Sequence, residues 1–159
     1  MYQVFYFLIF LLKSTNQHGV HSPFVFNFAT KGLYKKNVHT NLEMHPELTN
    51  LNQKERKIII RILTYFNKHT FYFNPKEKSI PTNTIFYFTS PKNSFIPKIE
   101  NKKTTSFLII KGIHKNKDSF THWKKIIKLD FARVTIDIFY FGIVFFRREQ
   151  EKEHFKIRV

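Results

Sequence analysis

Histidine is the residue type with the most obvious chemical potential in this chain of 159 residues, which contains eight histidines and no cysteine. His18 and His21 lie three positions apart, so their imidazoles could approach the same metal ion. A zinc site needs three or four ligands with supporting carboxylates, and none of the three aspartates is close to this pair in the sequence. We therefore expect no metal site. The segment from His18 to Phe24 (HGVHSPF) is interpreted instead as a structural corner whose imidazoles bond nearby backbone groups.

His114 is the single candidate for a catalytic residue. It follows a run from Ser106 to Ile110 that is typical of a buried strand, and ligands of open α/β sheets bind beyond the carboxyl ends of the strands. Alternatively, His114 is an ordinary hydrogen-bonded histidine at the surface. The sequence offers no cysteine nucleophile, no G-x-S-x-G elbow, no phosphate-binding glycine loop and no paired carboxylates. All other catalytic roles therefore stay unassigned.

Three helices that would position these residues are predicted from the spacing of apolar side chains. The first begins at Pro23, with Ser22 as its N-cap, because proline is favoured at the first helical position and serine just before it. Their expected extents are Pro23 to about Lys35, Leu51 to Phe66, and Asp118 or Ser119 to about Leu129. The polar stretch from Lys36 to Asn50 is interpreted as a linker.

Short strands are predicted between and after these helices, where β-branched and aromatic residues alternate with turn signals. The first three are Thr70 to Phe73, Thr84 to Thr89, and Ser106 to Ile110. A charged tail after them should form a helical turn and a short edge strand. The sequence thus predicts an α/β fold.

An antiparallel hairpin is predicted near the end of the chain, from Arg133 to Arg147. Gly142 is expected to permit a turn or a bulge there, where a side chain would clash or be forced out of a positive φ. This hairpin should be the most buried part of the chain. Its expected core residues are Ile136, Ile138, Val144 and Phe146.

The apolar run from Val4 to Leu12 has no preceding Lys or Arg and no small-residue cleavage site, as a signal peptide would have. It stops at Lys13, well short of the ~20 apolar residues that span a bilayer. We expect a buried or interfacial helix without a transmembrane segment, the alternative being a signal or anchor. The absence of cysteine fits a reducing compartment, so a cytoplasmic location is expected.

The chain is strongly basic, with 27 Lys and Arg residues against 11 Asp and Glu residues and a formal charge of +16. Such an excess can bind nucleic acid without sequence specificity, by releasing its counterions. The aromatic runs Phe71 to Phe73 and Ile85 to Phe88 could then serve as stacking platforms for bases. Alternatively, the charge is a composition bias and the aromatic residues form the core.

Two longer strings carry a resemblance to a known family: HGVHSPFVFNFATKGL, beginning at His18, and VTIDIFYFGIVFFRREQEKEHFKIRV, beginning at Val134. Both resemble the ends of bacterial class I S-adenosylmethionine-dependent methyltransferase-like proteins. The matching motif residues are His18, Gly19, His21, Ser22, Pro23 and Phe24. The resemblance implies a helical N-terminal extension and linker over residues 1–50. It also implies a truncated Rossmann-like sheet over residues 51–159 that ends in the antiparallel hairpin.

The middle of the chain departs from this family pattern. No glycine lies between Gly32 and Gly112, although the turn that cradles the cofactor requires residues that let backbone approach the ligand. Only 39 residues separate the second helix from the third expected strand, counted from Asn67 to Thr105, whereas one strand-helix-strand unit needs roughly 30 residues or more. Most of the cofactor-binding half should therefore be missing.

A second departure precedes His114. The family commonly has an acidic pair before Ile-His, and this chain has Lys111 and Gly112 before Ile113 and His114. An intact relative would transfer the methyl group of S-adenosylmethionine to an acceptor, whose identity the resemblance leaves open. For this chain we expect no bound cofactor and a degenerate, non-catalytic methyltransferase-like protein. The alternative is a basic, non-enzymatic module that binds nucleic acid or an acidic partner.

Overall fold

The structure, a computed structural model, describes residues 2–36, 38, 48, 50–67, 71–74, 83–93 and 105–159. The chain divides into two compact units. One unit combines residues 1–14 with residues 70–158, and the other contains residues 15–69 together with residue 159. The division into an extension over residues 1–50 and a domain over residues 51–159 stays a prediction.

A six-stranded mixed sheet forms the core of the first unit, which confirms the α/β class. Its strands are β1 (Phe71–Phe73), β2 (Ile85–Phe88), β3 (Phe107–Lys111), β4 (Val134–Asp137), β5 (Phe141–Phe145) and β6 (Glu153–Lys156). Their order is β1-β2-β3-β5-β4-β6. β1, β2 and β3 are parallel neighbours, β6 is parallel to β4, and β5 is antiparallel to both β3 and β4. Every strand of this sheet except β5 therefore has its carboxyl end at the same edge.

β4 and β5 form the predicted hairpin, and β5 inserts between β3 and β4. The four expected core residues are all buried, namely Ile136, Ile138, Val144 and Phe146. The alternation of Thr135 and Asp137 with apolar residues in β4 is typical of a strand with one face in solvent. Both polar side chains are nevertheless buried, because they share a face of the sheet with their cross-strand partners Val144 and Gly142, and a helix packs on that face.

Gly142 lies inside β5, where it pairs with Asp137 of β4 and Ile110 of β3. The expectation of a turn or a bulge at this position is therefore wrong, because the pairing runs through Gly142 without interruption, whereas the expected clash is confirmed. A Cβ atom at this position would lie 2.7 Å from both Cη2 and Cζ3 of Trp123. Glycine is needed here because the indole packs directly on the backbone of the strand.

The helix α4 (Lys117–Ile126) supplies that indole and covers one face of the sheet. It begins after Asn116, whose side-chain oxygen accepts a hydrogen bond of 2.8 Å from the backbone N–H of Ser119, an N-cap of the usual kind. Trp123 and Ile126 are buried against the sheet, while Lys124 and Lys125 are exposed. The buried cluster beneath the helix contains Phe86, Phe88, Leu108, Ile110, Ile113, Trp123, Ile126, Ala132, Val144 and Phe146.

The aromatic residues of β2 belong to this core, since Ile85, Phe86, Tyr87 and Phe88 are all buried. They are therefore closed to stacking with nucleic-acid bases. In β1, only the central residue Tyr72 counts among the exposed large side chains, with 39% of its surface accessible. The predicted edge strand of the tail is confirmed as β6, which lies at one end of the sheet. Residues 148–150 before it form a turn.

The second unit contains the segment with the family motif. Gln17–Gly19 form a short 3-10 turn, and the side chain of Asn16 caps it by accepting a hydrogen bond of 3.1 Å from the backbone N–H of His18. Ser22 caps α2 (Pro23–Phe28) through its Oγ atom, which accepts from the N–H of Val25 at 3.5 Å. The predicted N-cap at Ser22 and the proline at the first helical position are both confirmed. The helix continues into a π-helical turn over Ala29–Leu33.

The third helix, α3 (Gln53–Phe66), packs on α2 within this unit. It begins with a capping box in which Asn52 and Glu55 each accept a hydrogen bond from the other's backbone N–H, at 2.9 and 3.0 Å. The ring of Phe28 lies 5.3 Å from that of Tyr65. The guanidinium of Arg61 donates a hydrogen bond of 2.9 Å to the carbonyl of Leu33. The motif thus forms a capped corner that leads into a helical pair.

The helix α1 (Tyr2–Lys13) belongs to the unit that contains the sheet. One side of it packs on aromatic residues of that unit, and Phe10 is buried. The other side is exposed and apolar. No helix in the described residues is both long enough and apolar enough to cross a membrane.

Candidate functional site

His114 and Asp137 meet at the carboxyl edge of the sheet. β3 ends at Lys111, and Gly112 then turns the chain with φ +70, a conformation that glycine adopts without steric cost. This turn brings His114 beside the last residue of β4. Nε2 of His114 lies 2.8 Å from Oδ2 of Asp137, a hydrogen bond between two side chains that are 23 positions apart.

Both members of this pair are buried, with His114 exposing 4% of its surface and Asp137 exposing none. The imidazole is stacked between the rings of Phe120 and Phe139, whose centroids lie 4.7 and 4.9 Å from its own. Phe10 of α1 approaches it edge-on at 5.9 Å. His114 therefore makes a hydrogen bond, as predicted for a non-catalytic histidine. The prediction that it lies at the surface is wrong, because the imidazole is buried. The aromatic enclosure of Phe10, Phe120 and Phe139 separates it from solvent.

The carboxylate of Asp137 also holds the hairpin loop. Its Oδ1 accepts a hydrogen bond of 2.9 Å from the backbone N–H of Phe139. Phe139 has φ +67, which is unusual for a bulky residue because its Cβ crowds the backbone. One oxygen of Asp137 thus stabilises a strained loop, and the other orients the imidazole that stacks on the same loop.

The pair has part of the geometry of a general base. When Nε2 carries the proton and donates it to Asp137, Nδ1 is left as a proton acceptor, and an orienting carboxylate of this kind accompanies catalytic histidines. Nδ1 is buried and has no hydrogen-bond partner within the described part of the chain. A substrate would have to displace an aromatic ring to reach it. The buried pair of His114 and Asp137 is therefore better suited to packing the carboxyl edge of the sheet than to transferring a proton to or from a substrate.

Asp137 is the site residue that the sequence reasoning missed. A signal for it exists, because this aspartate lies between Ile136 and Ile138 in a strand that is otherwise apolar. A carboxylate inside such a strand needs a hydrogen-bond partner when it is buried. His114 is the only histidine that directly follows a strand of the sheet in the described residues.

The motif histidines are placed differently. His18 and His21 are exposed and belong to the other unit. The ring of His18 lies 3.3 Å from the side-chain amide of Gln17. The expected bonds from both imidazoles to backbone do not occur among the described residues. Within that part of the chain, no group of three or more histidine, aspartate or glutamate residues could hold a metal ion.

A surface hollow of about 380 Å³ lies beside the C-terminal end of α4. Its lining residues are Ile127, Lys128, Lys152, Glu153 and His154. Nζ of Lys152 donates to the carbonyls of Lys128 and Leu129 at 2.7 and 3.0 Å. This lysine is therefore engaged with the turn that follows α4.

His154 has an altered proton affinity in this hollow. Its Nδ1 lies 2.8 Å from Oγ1 of Thr135 on the neighbouring strand. Partial burial of the ring is the main cause that lowers the pKa of His154 below its usual value of 6.5. The charge of Lys156 acts in the same direction, whereas Asp137 opposes it. The folded chain therefore favours the neutral form of this imidazole more than the unfolded chain does.

Comparisons with protein-family models, with curated proteins and with solved structures return no match to this chain.

Proposed function

We propose that this chain is a reduced, non-catalytic relative of the class I S-adenosylmethionine-dependent methyltransferase-like proteins. The main support is the closure of the sheet edge at His114 and Asp137. Ligands of open α/β sheets bind beyond this edge, and here the imidazole is 4% exposed and enclosed by three aromatic rings. A domain whose edge beyond β3 and β4 is filled by its own side chains can keep the fold without binding a ligand at that position.

The strand arrangement is consistent with this proposal. The resemblance implies a Rossmann-like sheet that ends in an antiparallel hairpin, and the chain has parallel strands β1, β2 and β3 followed by the β4–β5 hairpin. The two sequence strings that carry the resemblance fall in α2 with its preceding corner, and in β4 to β6. The chain would then keep both terminal segments of the family, and the segment between them would be shortened.

This chain also lacks the functional residues of an intact relative at the corresponding positions. Lys111 and Gly112 stand where the family commonly has an acidic pair, so neither supplies a carboxylate. No glycine occurs between Gly32 and Gly112, which removes the residues that let backbone N–H groups approach the cofactor. We therefore expect neither S-adenosylmethionine binding nor methyl transfer.

Calorimetric titration of the full chain with S-adenosylmethionine and with S-adenosylhomocysteine tests this proposal. The expected result is no binding heat from either compound, in a preparation that unfolds cooperatively. The Phe139→Gly variant should be titrated in parallel, because it removes one wall of the aromatic enclosure and should still fail to bind. Micromolar binding of the cofactor, competed by S-adenosylhomocysteine, would overturn the proposal, as would methyl transfer to any acceptor.

A second candidate function is a basic module that binds nucleic acid through its charge, which is favoured by the formal charge of +16. Binding by counterion release should weaken steeply with salt and should not distinguish sequences. Fluorescence anisotropy with two duplexes of unrelated sequence, each measured over a salt series, checks this. Strong preference for one duplex, or affinity that survives at ~200 mM salt, would exclude simple electrostatic binding.

A further inference from the structure

We propose that the exposed apolar face of α1 docks on an anionic lipid surface. Four large apolar side chains on this helix are open to solvent: Val4, Phe5, Leu8 and Leu12 expose 68%, 61%, 56% and 87% of their surfaces. Their positions follow the spacing of residues that share one side of an α-helix. They form a continuous stripe, which we call the α1 stripe.

The opposite side of α1 is fixed to the unit that contains the sheet. Phe10 is buried, with its ring 5.5 Å from that of Phe139. Phe7 also contacts Phe139, at 4.8 Å, and Tyr6 lies 5.9 Å from Phe120. These contacts set the rotation of the helix about its axis. The α1 stripe is therefore presented outward by a packed helix.

The unit that presents the α1 stripe carries exposed lysines near the helix. Lys13 is in the last turn of the helix, and α1 contains no acidic residue. Nζ of Lys124 lies 5.3 Å from the ring centroid of Phe120, the same ring that contacts Tyr6. Lys115, next to the enclosed His114, is exposed. Exposed apolar side chains on a unit with exposed lysines suit the interface of a membrane that contains acidic phospholipids.

The net charge favours lipid over a second copy of the chain as the occupant. Two molecules that each carry a formal charge of +16 repel one another, whereas an anionic bilayer attracts each of them. The helix has 12 residues, fewer than the ~20 needed to span a bilayer. α1 would therefore lie in the plane of the interface, with the α1 stripe inserted among the headgroups and upper acyl chains.

Vesicle flotation with the full chain tests this proposal. We expect the protein to float with vesicles of phosphatidylcholine and phosphatidylserine, and not with vesicles of phosphatidylcholine alone. Leu8→Glu places a charge in the middle of the α1 stripe and should abolish flotation. Phe26→Glu is the matched control, because Phe26 is an exposed phenylalanine of α2, with 41% of its surface accessible, and this variant should float like the unchanged protein.

The unfolding midpoints of both variants, measured in the same buffer, establish that they are folded. The proposal is overturned if folded Leu8→Glu floats as well as the unchanged protein, or if neither vesicle composition captures the chain. Sedimentation velocity gives an independent outcome. If the chain is a dimer that Leu8→Glu converts to a monomer, a second copy covers the α1 stripe and lipid docking is wrong.

Discussion

At the scale of single residues, Phe139 combines two opposing energetic effects. Its φ of +67 places it in the left-handed region, which costs an L-residue roughly 1–2 kcal/mol. Its ring stacks on His114 at 4.9 Å and is 9% exposed, and loss of a buried phenylalanine ring costs about 3–5 kcal/mol. The ring contribution is the larger, so the packing can hold the backbone in its strained conformation.

Replacing Phe139 by Ala or by Gly separates these effects. Both variants should be destabilised because both lose the ring, but the glycine variant should be more stable than the alanine variant by roughly 1 kcal/mol, since glycine adopts positive φ freely. Urea unfolding of the two variants measures the difference. The reverse order would mean that Phe139 does not have the left-handed conformation described here.

His154 gives a prediction about pH. Because its pKa is lowered in the folded chain from 6.5, the unfolded chain binds a proton at a higher pH than the folded chain does. The stability that it contributes is therefore fully present above about pH 6.5 and is lost as pH falls through the lowered pKa. We expect an NMR titration of its ring protons to give a midpoint below 6.5.

The control for this effect is His154→Asn, which retains a side-chain oxygen near Thr135 and cannot titrate in this range. The fall in unfolding free energy between neutral and mildly acidic pH should be smaller in this variant than in the unchanged chain. An equal fall in both proteins would show that other groups cause the whole pH dependence.

At the scale of secondary-structure elements, the contact of Trp123 with Gly142 sets how closely α4 approaches β5. Gly142→Ala would place a methyl group 2.7 Å from two indole carbons, which the fully buried side chain cannot avoid without moving the helix. Overpacking of this kind costs about 1–3 kcal/mol. Chemical denaturation of the variant, followed by circular dichroism, measures this loss.

A double-mutant cycle tests whether the indole is the cause. Trp123→Phe shortens the side chain, so Gly142→Ala should cost less in the Trp123→Phe background than in the unchanged chain. Additive costs would mean that Gly142 is needed for a reason other than this contact.

The hairpin gives a second prediction at this scale. Ile138 is 2% exposed, and Ile138→Ala should lower the unfolding free energy by ~2–5 kcal/mol. Lys125→Ala, on the exposed side of α4, should change it little. Equal shifts of the unfolding midpoint in the two variants would contradict the assignment of the hairpin to the core.

The sequence predicts the elements of this fold better than their arrangement. The apolar spacing is a local signal, and it predicts α3 from Leu51, two residues before the observed start at Gln53, where Asn52 and Glu55 form the capping box. The insertion of β5 between β3 and β4 is not local, because alternating side chains indicate that a strand exists but not which strand it pairs with. The pairing of His114 with Asp137 depends on that insertion, which explains why a histidine expected at the surface is buried.

At the scale of the whole molecule, each of the two compact units has its own buried residues. In the unit of residues 15–69, the helices bury Phe28, Leu33, Ile59, Ile62 and Leu63, among others. In the other unit, the sheet and α4 bury a separate cluster. Unfolding of the chain therefore involves two cores, and a single probe that averages over both would not show whether they melt in one step.

The packing of Trp123 on Gly142 supplies a probe for one core alone. Trp123 is the single tryptophan of the chain, it is completely buried, and it belongs to the unit of the sheet. Its fluorescence should be that of an indole in apolar surroundings and should shift to longer wavelength when α4 leaves the sheet. Gly142→Ala should move this optical transition to lower denaturant concentration. Emission that already resembles free tryptophan in buffer would mean that the indole is not packed on β5. Comparison of the emission with the helical circular dichroism signal would then show whether the two cores unfold together.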